Sequence, residues 1–496
     1  MKLYPIDLID FYKSGHKIQY PIGTNMIYSN FTARSGRHFP IQDVTRVVFF
    51  GLQGVIKWLL VDVFNKDFFD LPADRVLEHY KHRMDNALGP GAVSLDHIEA
   101  LHKLGYLPIH IKALPEGSLV PFKVPVFTVR NTLPEFFWLT NYFEDMLSAE
   151  CWKSITNATI AYQYRGLLHS YADVTGGADA FCDWQGHDFS FRGMSGIHDA
   201  AQSGAAHLVS FLGSDTVPAF DYLEEYYGGK DTFLGGSVPA TEHSVMCMGG
   251  NETELDMFRR LITEVYPSGI VSIVSDTWDF WKVITEYASI LKPEILAREV
   301  NALGMAKVVF RPDSGDPVKI ICGDAGAEID SPAYKGAVEC LWDIFGGTVN
   351  EKGYKVLNEC VGLIYGDSIT YARASEILTQ LEAKGFASSN IVFGIGSYTY
   401  QHNTRDSLGF AMKATYGEVN GEPRELWKDP ITDSGTKKSA KGLLRVEEEN
   451  GTFVLYDQQT WEQEASGALQ TVFLDGKLVR KESLAEIRRR VGFINM

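Results

Sequence analysis

The chain has 496 residues, of which 45% are hydrophobic and 22% charged, and its formal net charge at pH 7 is −17. This composition is typical of a globular protein with an ample core, and the acidic balance argues against nucleic acid or an anionic membrane as the main partner. The six cysteines are scattered without a CxxC pair, which favours reduced thiols over a disulfide framework or a zinc site. The opening residues lack the apolar core of a signal peptide, so we expect no export and a cytoplasmic location.

The first 150 residues predict a mixed α+β region. Residues 26–33 have strand character. Residues 108–130 contain short β-rich runs cut by Pro115, Pro121 and Pro125, which are expected to confine the strands to edges or turns. The most apolar stretch, residues 47–64, is interrupted by Gln, Lys and Asp, which indicate the polar face of a core helix rather than a membrane span. A further helix is predicted to start near Leu133.

Residues 151–400 alternate helical and strand-like segments, and four apolar runs there end abruptly in polar, mostly glycine-containing loops. They are VSIVSDTWD (271–279), VVFRPDSGDP (308–317), GLIYGDSIT (362–370) and IVFGIGS (391–397). Such runs suit parallel strands buried on both faces, which deliver their loops to one end of a β/α barrel or to one edge of an open doubly wound sheet. Either arrangement predicts a binding site where these loops meet.

The loop at residues 311–317 has the chemistry of a phosphosugar site. Arg311 can pair with a phosphate through two hydrogen bonds, and backbone N–H groups around Gly315 can face phosphate oxygens. Asp313 or Asp316 can accept sugar hydroxyls or hold Mg²⁺. A polar turn with a structural ion pair is the simpler interpretation of this loop alone, but the three similar loops favour a shared site.

The last 96 residues predict an antiparallel β region followed by a helix. Three pairs are hairpin signals between strand-like runs: Asn420-Gly421, Asn450-Gly451 and Asp475-Gly476. Ser483 and Glu486 have the spacing of a capping box, which predicts the start of the terminal helix. The basic loop at residues 428–441 is either a solvated surface loop or a lid over a polyphosphate.

A series of stretches, in order along nearly the whole chain, resembles the nicotinamide phosphoribosyltransferase family. The stretches are DFYKSGHKIQYP, FFGLQ, WLTNYFE, HDFSFRG, GSDT, SVPATEHS, VSDTWD, RPDSGDP, YGDSI, FGIGS, TRD and the KDP of the basic loop. The resemblance implies an α/β fold of the type II phosphoribosyltransferase kind. It consists of an irregular barrel, here residues 151–400, and a β-rich domain built from residues 1–150 and 401–496. It also implies a homodimer with shared active sites, which makes nicotinamide mononucleotide and diphosphate from nicotinamide and phosphoribosyl diphosphate in NAD salvage.

The resemblance also implies how the base is held. Phe189 and the partner subunit's Tyr12 would stack on the two faces of the pyridine ring. Asp215 would accept a hydrogen bond from the carboxamide NH₂ and repel the carboxylate of nicotinate. Arg192 and Arg311 would contact the diphosphate or the amide of the base.

The remaining implied residues bind the sugar and its phosphates. Asp313 would hold the ribose hydroxyls, and Mg²⁺ would be held mainly by diphosphate. The cradle for the 5′-phosphate would comprise Gly366, Asp367, Gly396 and Ser397, with Ser275 and Asp279 also in the substrate-binding set. The partner subunit would bring Arg405, Lys413, Lys428 and, in the basic loop, Lys437 or Lys438.

His243 matches the histidine that the family phosphorylates when it couples ATP hydrolysis to synthesis, so ATP is expected to stimulate the reaction. Glu242 and Asp279 are the expected partners that orient this imidazole. The sequence departs from the vertebrate form of the family at several points. Because of these departures, the resemblance does not determine the shape of the tunnel beside the base. Gly362 stands where arginine is common, GIGS replaces a glycine-richer loop, Ala411 replaces a serine, and the basic loop is one residue longer.

Three other functions are compatible with parts of the sequence. Nicotinate phosphoribosyltransferase is the nearest, and Asp215 argues against it. A β/α-barrel aldolase or phosphosugar isomerase would require a Schiff-base lysine or a base at a strand end, where this chain has aspartates and serines. A non-catalytic nucleotide-sensing homologue would be expected to lack His243, Arg311 or Asp313, and all three are present.

Overall fold

The computed structural model describes residues 3–228, 232–428 and 440–493. The strands are β1 Thr24–Thr32, β2 Arg46–Val48, β3 Ile109–Ala113, β4 Leu119–Pro121, β5 Pro125–Asn131, β6 Gly186–Asp188, β7 Gly213–Ser214, β8 Gly269–Val274, β9 Ala306–Arg311, β10 Gly347–Val349, β11 Lys355–Leu357, β12 Val361–Tyr365, β13 Val392–Ile395, β14 Ala411–Val419, β15 Glu422–Glu425, β16 Leu443–Glu449, β17 Thr452–Gln459, β18 Gln470–Leu474 and β19 Lys477–Leu478. The α-helices of seven residues or more are Ala73–Leu88, Asp96–Leu104, Glu144–Thr175, Asp179–Gln185, Ile197–His207, Val217–Tyr227, His243–Gly249, Glu254–Arg260, Ala337–Phe345, Tyr371–Ala383 and Leu484–Arg490.

Six parallel strands form the sheet that carries the site, in the order β7-β6-β13-β12-β9-β8. The segment at residues 236–240 joins its two edges, because Gly236 bridges Gly213 on β7 and Ala240 bridges Ser272 on β8, both in parallel. This segment closes the sheet into an irregular barrel. The prediction of a barrel is therefore confirmed, and the open doubly wound sheet is not what the chain forms.

The four apolar runs predicted as buried parallel strands are confirmed as β8, β9, β12 and β13. Their central side chains, such as Val271, Phe310, Leu363 and Phe393, are almost fully buried. Because the strands run in one direction, the polar residues that follow each of them lie at the same end of the barrel. The fold thus gathers the predicted loops as the sequence indicated.

A seven-stranded antiparallel sheet is built from both ends of the chain, in the order β15-β14-β1-β5-β3-β18-β19. This confirms the predicted β-rich unit, whereas the boundaries near residues 150 and 400 remain predictions. The helix Glu144–Thr175 runs across the first of them. Of the two places expected for the prolines, edges and turns, Pro125 takes the second: it directly follows the turn at residues 122–124, although its strand β5 lies between β1 and β3. Pro125 is tolerated there because it is the first residue of the strand, where a missing N–H matters least.

The three hairpins predicted near the C-terminal end are confirmed. They connect β14 to β15, β16 to β17, and β18 to β19. Asn420, Asn450 and Asp475 each have a positive φ between 47° and 53°, as tight hairpin turns require. The capping box of Ser483 and Glu486 is formed at the start of the last helix.

The apolar stretch at residues 47–64 is helical from Leu52 onward and packs into the core. Asp62 is exposed, as predicted for a polar face, but Gln53 is buried, and its amide donates to the backbone carbonyls of Tyr226 and Glu482. Gln53 therefore ties three distant parts of the chain together instead of facing water. Among the described residues, no helix has both the length and the apolar character needed to cross a membrane.

Candidate active site

Phe189 and Arg311 form one wall of the site at the carboxyl end of the barrel. The backbone N–H of Phe189 donates to the carbonyl of Ile395 at 3.0 Å. Its ring lies against Gly394, where a Cβ would come within 2.6 Å of the ring and force it away. The guanidinium of Arg311 lies 5.9 Å from the ring centroid and donates to the carbonyl of Thr241 at 2.6 Å. An aromatic face and a cation thus lie close together, an arrangement suited to binding a polar aromatic ring.

Asp215 follows β7 and is held by two neighbours through one of its oxygens. His187 Nε2 lies 2.8 Å from Asp215 Oδ1, and the Ser237 hydroxyl donates to the same oxygen. Burial alone would raise the pKa of Asp215. The hydrogen bonds from His187 and Ser237 and the nearby charge of Arg311 outweigh burial, so the pKa lies below its usual value. The carboxylate is therefore ionised at neutral pH, and Oδ2 remains as an acceptor.

A group of carboxylates surrounds Asp313. Asp276 Oδ2 accepts hydrogen bonds from the backbone N–H of Asp313 at 2.8 Å and from the Ser314 hydroxyl at 2.6 Å. Burial raises the pKa of Asp313, and the negative charges of Asp276 and Asp367 add to this effect, while Arg311 opposes it. A Cβ on Gly366 would lie 2.8 Å from Asp313 Oδ1, so a larger residue there would displace that carboxylate oxygen.

His243 contacts Asp276, which the sequence analysis did not select. The distance from His243 Nε2 to Asp276 Oδ1 is 3.3 Å. This corrects the partners expected from the sequence. Glu242 accepts instead from the Ser244 hydroxyl, and Asp279 accepts from a backbone N–H of the helix Phe280–Lys282 as its N-cap. The side chain of His243 is 47% exposed and that of Asp276 only 4%, so the imidazole is accessible while its partner is fixed.

The loops after β12 and β13 lie side by side because these strands are neighbours in the sheet. Asp367 is exposed in the first loop, and Ser397 begins the short helix Ser397–Gln401 after the second, with Gly396 just before it. A Cβ on Gly193 would overlap the Ser397 hydroxyl, so the HDFSFRG and FGIGS stretches meet here. The predicted phosphate-cradle residues are thus brought together by adjacent strands.

Arg192 and Ser275 have different roles in the structure. Burial lowers the pKa of Arg311, and the charge of Arg192 lowers it further, which places Arg192 near the same site. Ser275 is fully buried; its hydroxyl donates to the carbonyl of Ile273 at 2.7 Å and accepts from the backbone N–H of Arg311 at 3.3 Å. That Ser275 binds substrate stays a prediction; in this structure its hydroxyl supports the backbone of Arg311.

The residues expected from a partner subunit make contacts within their own chain. Tyr12 is 60% exposed, and its ring packs beside His16 and Lys13 of its own segment. Lys413 Nζ lies 3.4 Å from Glu144 Oε1. Arg405 pairs with the adjacent Asp406, and Lys428 is exposed; Lys437 and Lys438 lie outside the described residues.

In the described ranges, no group of three or more His, Cys, Asp or Glu side chains is arranged to hold a metal ion unaided. Two carboxylates of the site, those of Asp313 and Asp367, are close enough for their charges to interact. Such a pair fits the usual mode of Mg²⁺ binding, in which one or two carboxylates act together with substrate phosphates and water.

Comparisons with known proteins agree with this arrangement. Residues 184–477 match the Nicotinate phosphoribosyltransferase (NAPRTase) family, and residues 6–111 match the Nicotinamide phosphoribosyltransferase, N-terminal domain. Two solved structures share the fold at low identity: a nicotinate-nucleotide pyrophosphorylase from Pyrococcus furiosus (TM-score 0.56, 15% identity, covering 97% of this chain and 93% of that one) and human Nicotinic Acid Phosphoribosyltransferase (TM-score 0.54, 16% identity, 97% and 92%).

Two curated relatives are much more similar in sequence. The nicotinamide phosphoribosyltransferase of Acinetobacter baylyi is 63% identical over 493 residues, which cover 99% of this chain and 97% of the relative. That of Mycoplasma pneumoniae is 35% identical over 452 residues, 87% of this chain and 93% of the relative. The chain therefore belongs to the nicotinamide phosphoribosyltransferase family.

Proposed function

We propose that the chain transfers the phosphoribosyl group of phosphoribosyl diphosphate to the ring nitrogen of nicotinamide, releasing diphosphate, as a step of NAD salvage. The observation that carries this proposal is Asp215, an ionised carboxylate with one oxygen available, close to the Phe189 and Arg311 wall. That oxygen accepts from the carboxamide NH₂ of nicotinamide. The same negative charge opposes the carboxylate of nicotinate, so the site selects the amide.

In the proposed mechanism the pyridine nitrogen displaces diphosphate at the anomeric carbon through an oxocarbenium-like transition state. Phe189 orients the ring, and Asp313 holds the ribose hydroxyls so that the carbon and nitrogen are aligned. No side chain acts as a nucleophile on the sugar. Positioning and charge stabilisation are each worth several kcal/mol in such reactions, which is enough for catalysis of this type.

The charged side chains that one chain places at the site indicate that further cations are needed to bind an anionic substrate. Two cations, Arg192 and Arg311, lie among four carboxylates, those of Asp215, Asp276, Asp313 and Asp367. Phosphoribosyl diphosphate is strongly anionic and would be repelled by such a site alone. We propose that Mg²⁺, held by Asp313 or Asp367 together with the diphosphate, neutralises the leaving group.

The remaining positive charge is proposed to come from a second copy of the chain. The partner subunit's Arg405, Lys413, Lys428 and Lys437 would face the polyphosphate, and the partner subunit's Tyr12 would cover the base. The exposure of Tyr12 supports this, because a ring that is 60% exposed in one chain is available to another. The six unpaired cysteines support a cytoplasmic location.

A mixing experiment tests the shared site. Tyr12→Ala and Asp313→Ala should each be inactive alone, because each dimer would then carry the same defect in both sites. After the two variants are unfolded and refolded together, half of the dimers are mixed and each has one intact site, so about one quarter of wild-type activity should return. No recovery, although sedimentation shows mixed dimers, would refute the shared site.

We further propose that ATP phosphorylates His243 and that the phosphorylated enzyme binds its substrates more tightly. Asp276 fixes the imidazole through Nε2, and the exposure of the ring leaves it accessible to ATP. Labelling with [γ-³²P]ATP should give an acid-labile phosphoprotein, and His243→Ala should abolish both the label and the ATP stimulation. Labelling that persists in this variant would place the phosphoryl group on another residue.

The reaction itself is tested by product identification. Nicotinamide and nicotinate are supplied in parallel with phosphoribosyl diphosphate and Mg²⁺, and the mononucleotide is identified by mass spectrometry. Exclusive formation of the amide product is the expected result. The acid product would instead support a nicotinate phosphoribosyltransferase, and the absence of both would support a non-catalytic homologue.

A further inference from the structure

His187 is a buried histidine that the mechanism above does not use. It lies on β6, where its backbone pairs in register with Gly213 of β7, the strand that leads to Asp215. A Cβ on Gly213 would come within 2.6 Å of His187 Nδ1, so the imidazole packs directly on the backbone of β7. The ring is only 4.8 Å, centroid to centroid, from that of Phe189. Its position is therefore fixed from both sides, and its Nε2 points to Asp215.

Ser237 reaches Asp215 from a different part of the fold. It lies in the segment that closes the barrel, one residue after the bridge between Gly236 and Gly213. Its hydroxyl and His187 Nε2 both bind Asp215 Oδ1. Two donors on one oxygen set the rotation of the carboxylate, so the direction of Oδ2 is determined before any base enters.

We propose that His187 is a positioning residue for base selection, which fixes the rotation of the Asp215 carboxylate and directs Oδ2 toward the carboxamide of the base. This inference rests on the proposed function. Without the His187 donor, the Ser237 hydroxyl alone binds Oδ1, and the carboxylate can rotate. Oδ2 then no longer has a fixed direction toward the carboxamide, so nicotinamide loses a hydrogen bond that nicotinate, which has no N–H on its carboxylate, never makes. Loss of the His187 donor should therefore reduce discrimination between the two bases.

Two substitutions separate a positioning role from a packing role. His187→Leu keeps an apolar group of similar size but has no donor, whereas the amide of His187→Gln can place an N–H near the position of Nε2. His169→Leu is a matched control, because it breaks another His–Asp pair, with Asp179, outside the site. The quantity measured is the ratio of kcat/KM for nicotinamide to kcat/KM for nicotinate, together with the KM for phosphoribosyl diphosphate.

The ratio should fall by roughly tenfold or more in His187→Leu, the range expected when a hydrogen bond to a charged group is lost. It should stay within about threefold of wild type in His187→Gln, in which the donor is restored. The KM for phosphoribosyl diphosphate should not change in either variant, and His169→Leu should match wild type throughout.

An unchanged ratio in His187→Leu, or an equal fall in the Leu and Gln variants, would overturn the inference while leaving the proposed function intact. A wild-type enzyme that makes no nicotinamide mononucleotide would overturn both. If His187→Leu does not fold, His187→Asn replaces it, because the shorter amide cannot reach Asp215 Oδ1. The ratio should then fall in the Asn variant and not in the Gln variant.

Discussion

Glu116 is a buried carboxylate whose protonation should make the stability of the protein depend on pH. It is 3% exposed, and its oxygens accept from the backbone N–H groups of Gly51 at 2.9 Å and Gln53 at 2.6 Å. Its own N–H donates to Glu482 Oε2 at 2.9 Å. Burial raises the pKa of Glu116 to about 7; the two backbone hydrogen bonds oppose this shift, and the charge of Glu482 adds to it.

The stability should fall as pH rises, because the folded chain retains a proton that the unfolded chain has released. An unfolded chain releases this proton near the ordinary value of 4.5, whereas the folded chain keeps it up to about pH 7. The stabilisation is fully present below the unfolded pKa and is lost as pH rises through the folded pKa. Between pH 5 and pH 8 the loss is about 2 to 3 kcal/mol. With an unfolding entropy of about 1 kcal/mol per kelvin for a chain of this length, Tm should fall by about 2 to 3 °C from this group.

Glu116→Gln isolates this contribution because the amide does not titrate. Tm is measured for wild type and variant by calorimetry from pH 5 to pH 8, and the difference, variant minus wild type, should increase by about 2 to 3 °C across the range. Glu225→Gln, on the exposed side of the helix Val217–Tyr227, serves as the control and should give a constant difference. A constant difference for Glu116→Gln as well would refute the reasoning.

Three further substitutions have defined outcomes. Asp276→Asn removes the carboxylate that contacts His243 and should reduce the stimulation by ATP by roughly tenfold in steady-state assays, an effect a purely structural role would not produce. Gly366→Ala places a Cβ 2.8 Å from Asp313 Oδ1 and should lower kcat/KM for phosphoribosyl diphosphate by roughly 10- to 100-fold. Ser483→Ala removes a helix cap and should cost about 1 kcal/mol, seen as a fall of about 1 °C in Tm with kcat unchanged.

The strands of the barrel could be predicted because burial on both faces requires unbroken apolar runs, and each run ends where a polar loop begins. The hairpins could be predicted because Asn-Gly and Asp-Gly pairs adopt the positive φ that tight turns need. The residues that close the barrel could not be predicted. The segment at residues 236–240 makes isolated bridges rather than a strand, so it has no alternating or apolar pattern.

Sequence reasoning on the VSDTWD stretch missed one residue, Asp276, for a related reason. Ser275, Asp276 and Asp279 are all plausible ligands by residue type, and their roles depend on the residue at which β8 ends. The strand ends at Val274, so Ser275 turns inward onto the backbone of Arg311, and Asp276 is the next side chain to reach the site. Asp279 lies at the start of the following helix, where it caps the backbone. The order of polar residues after a strand matters more than their type.

The segment that closes the barrel also connects the two parts of the site. Its Gly236 and Ala240 pair with the edge strands. Ser237 between them binds Asp215, the carboxylate proposed to select the base, and the next helix begins with His243. The carbonyl of Thr241, within the same stretch, accepts from Arg311. Selection of the base and the proposed phosphorylation of His243 therefore depend on one short piece of backbone, fixed at both ends by β7 and β8.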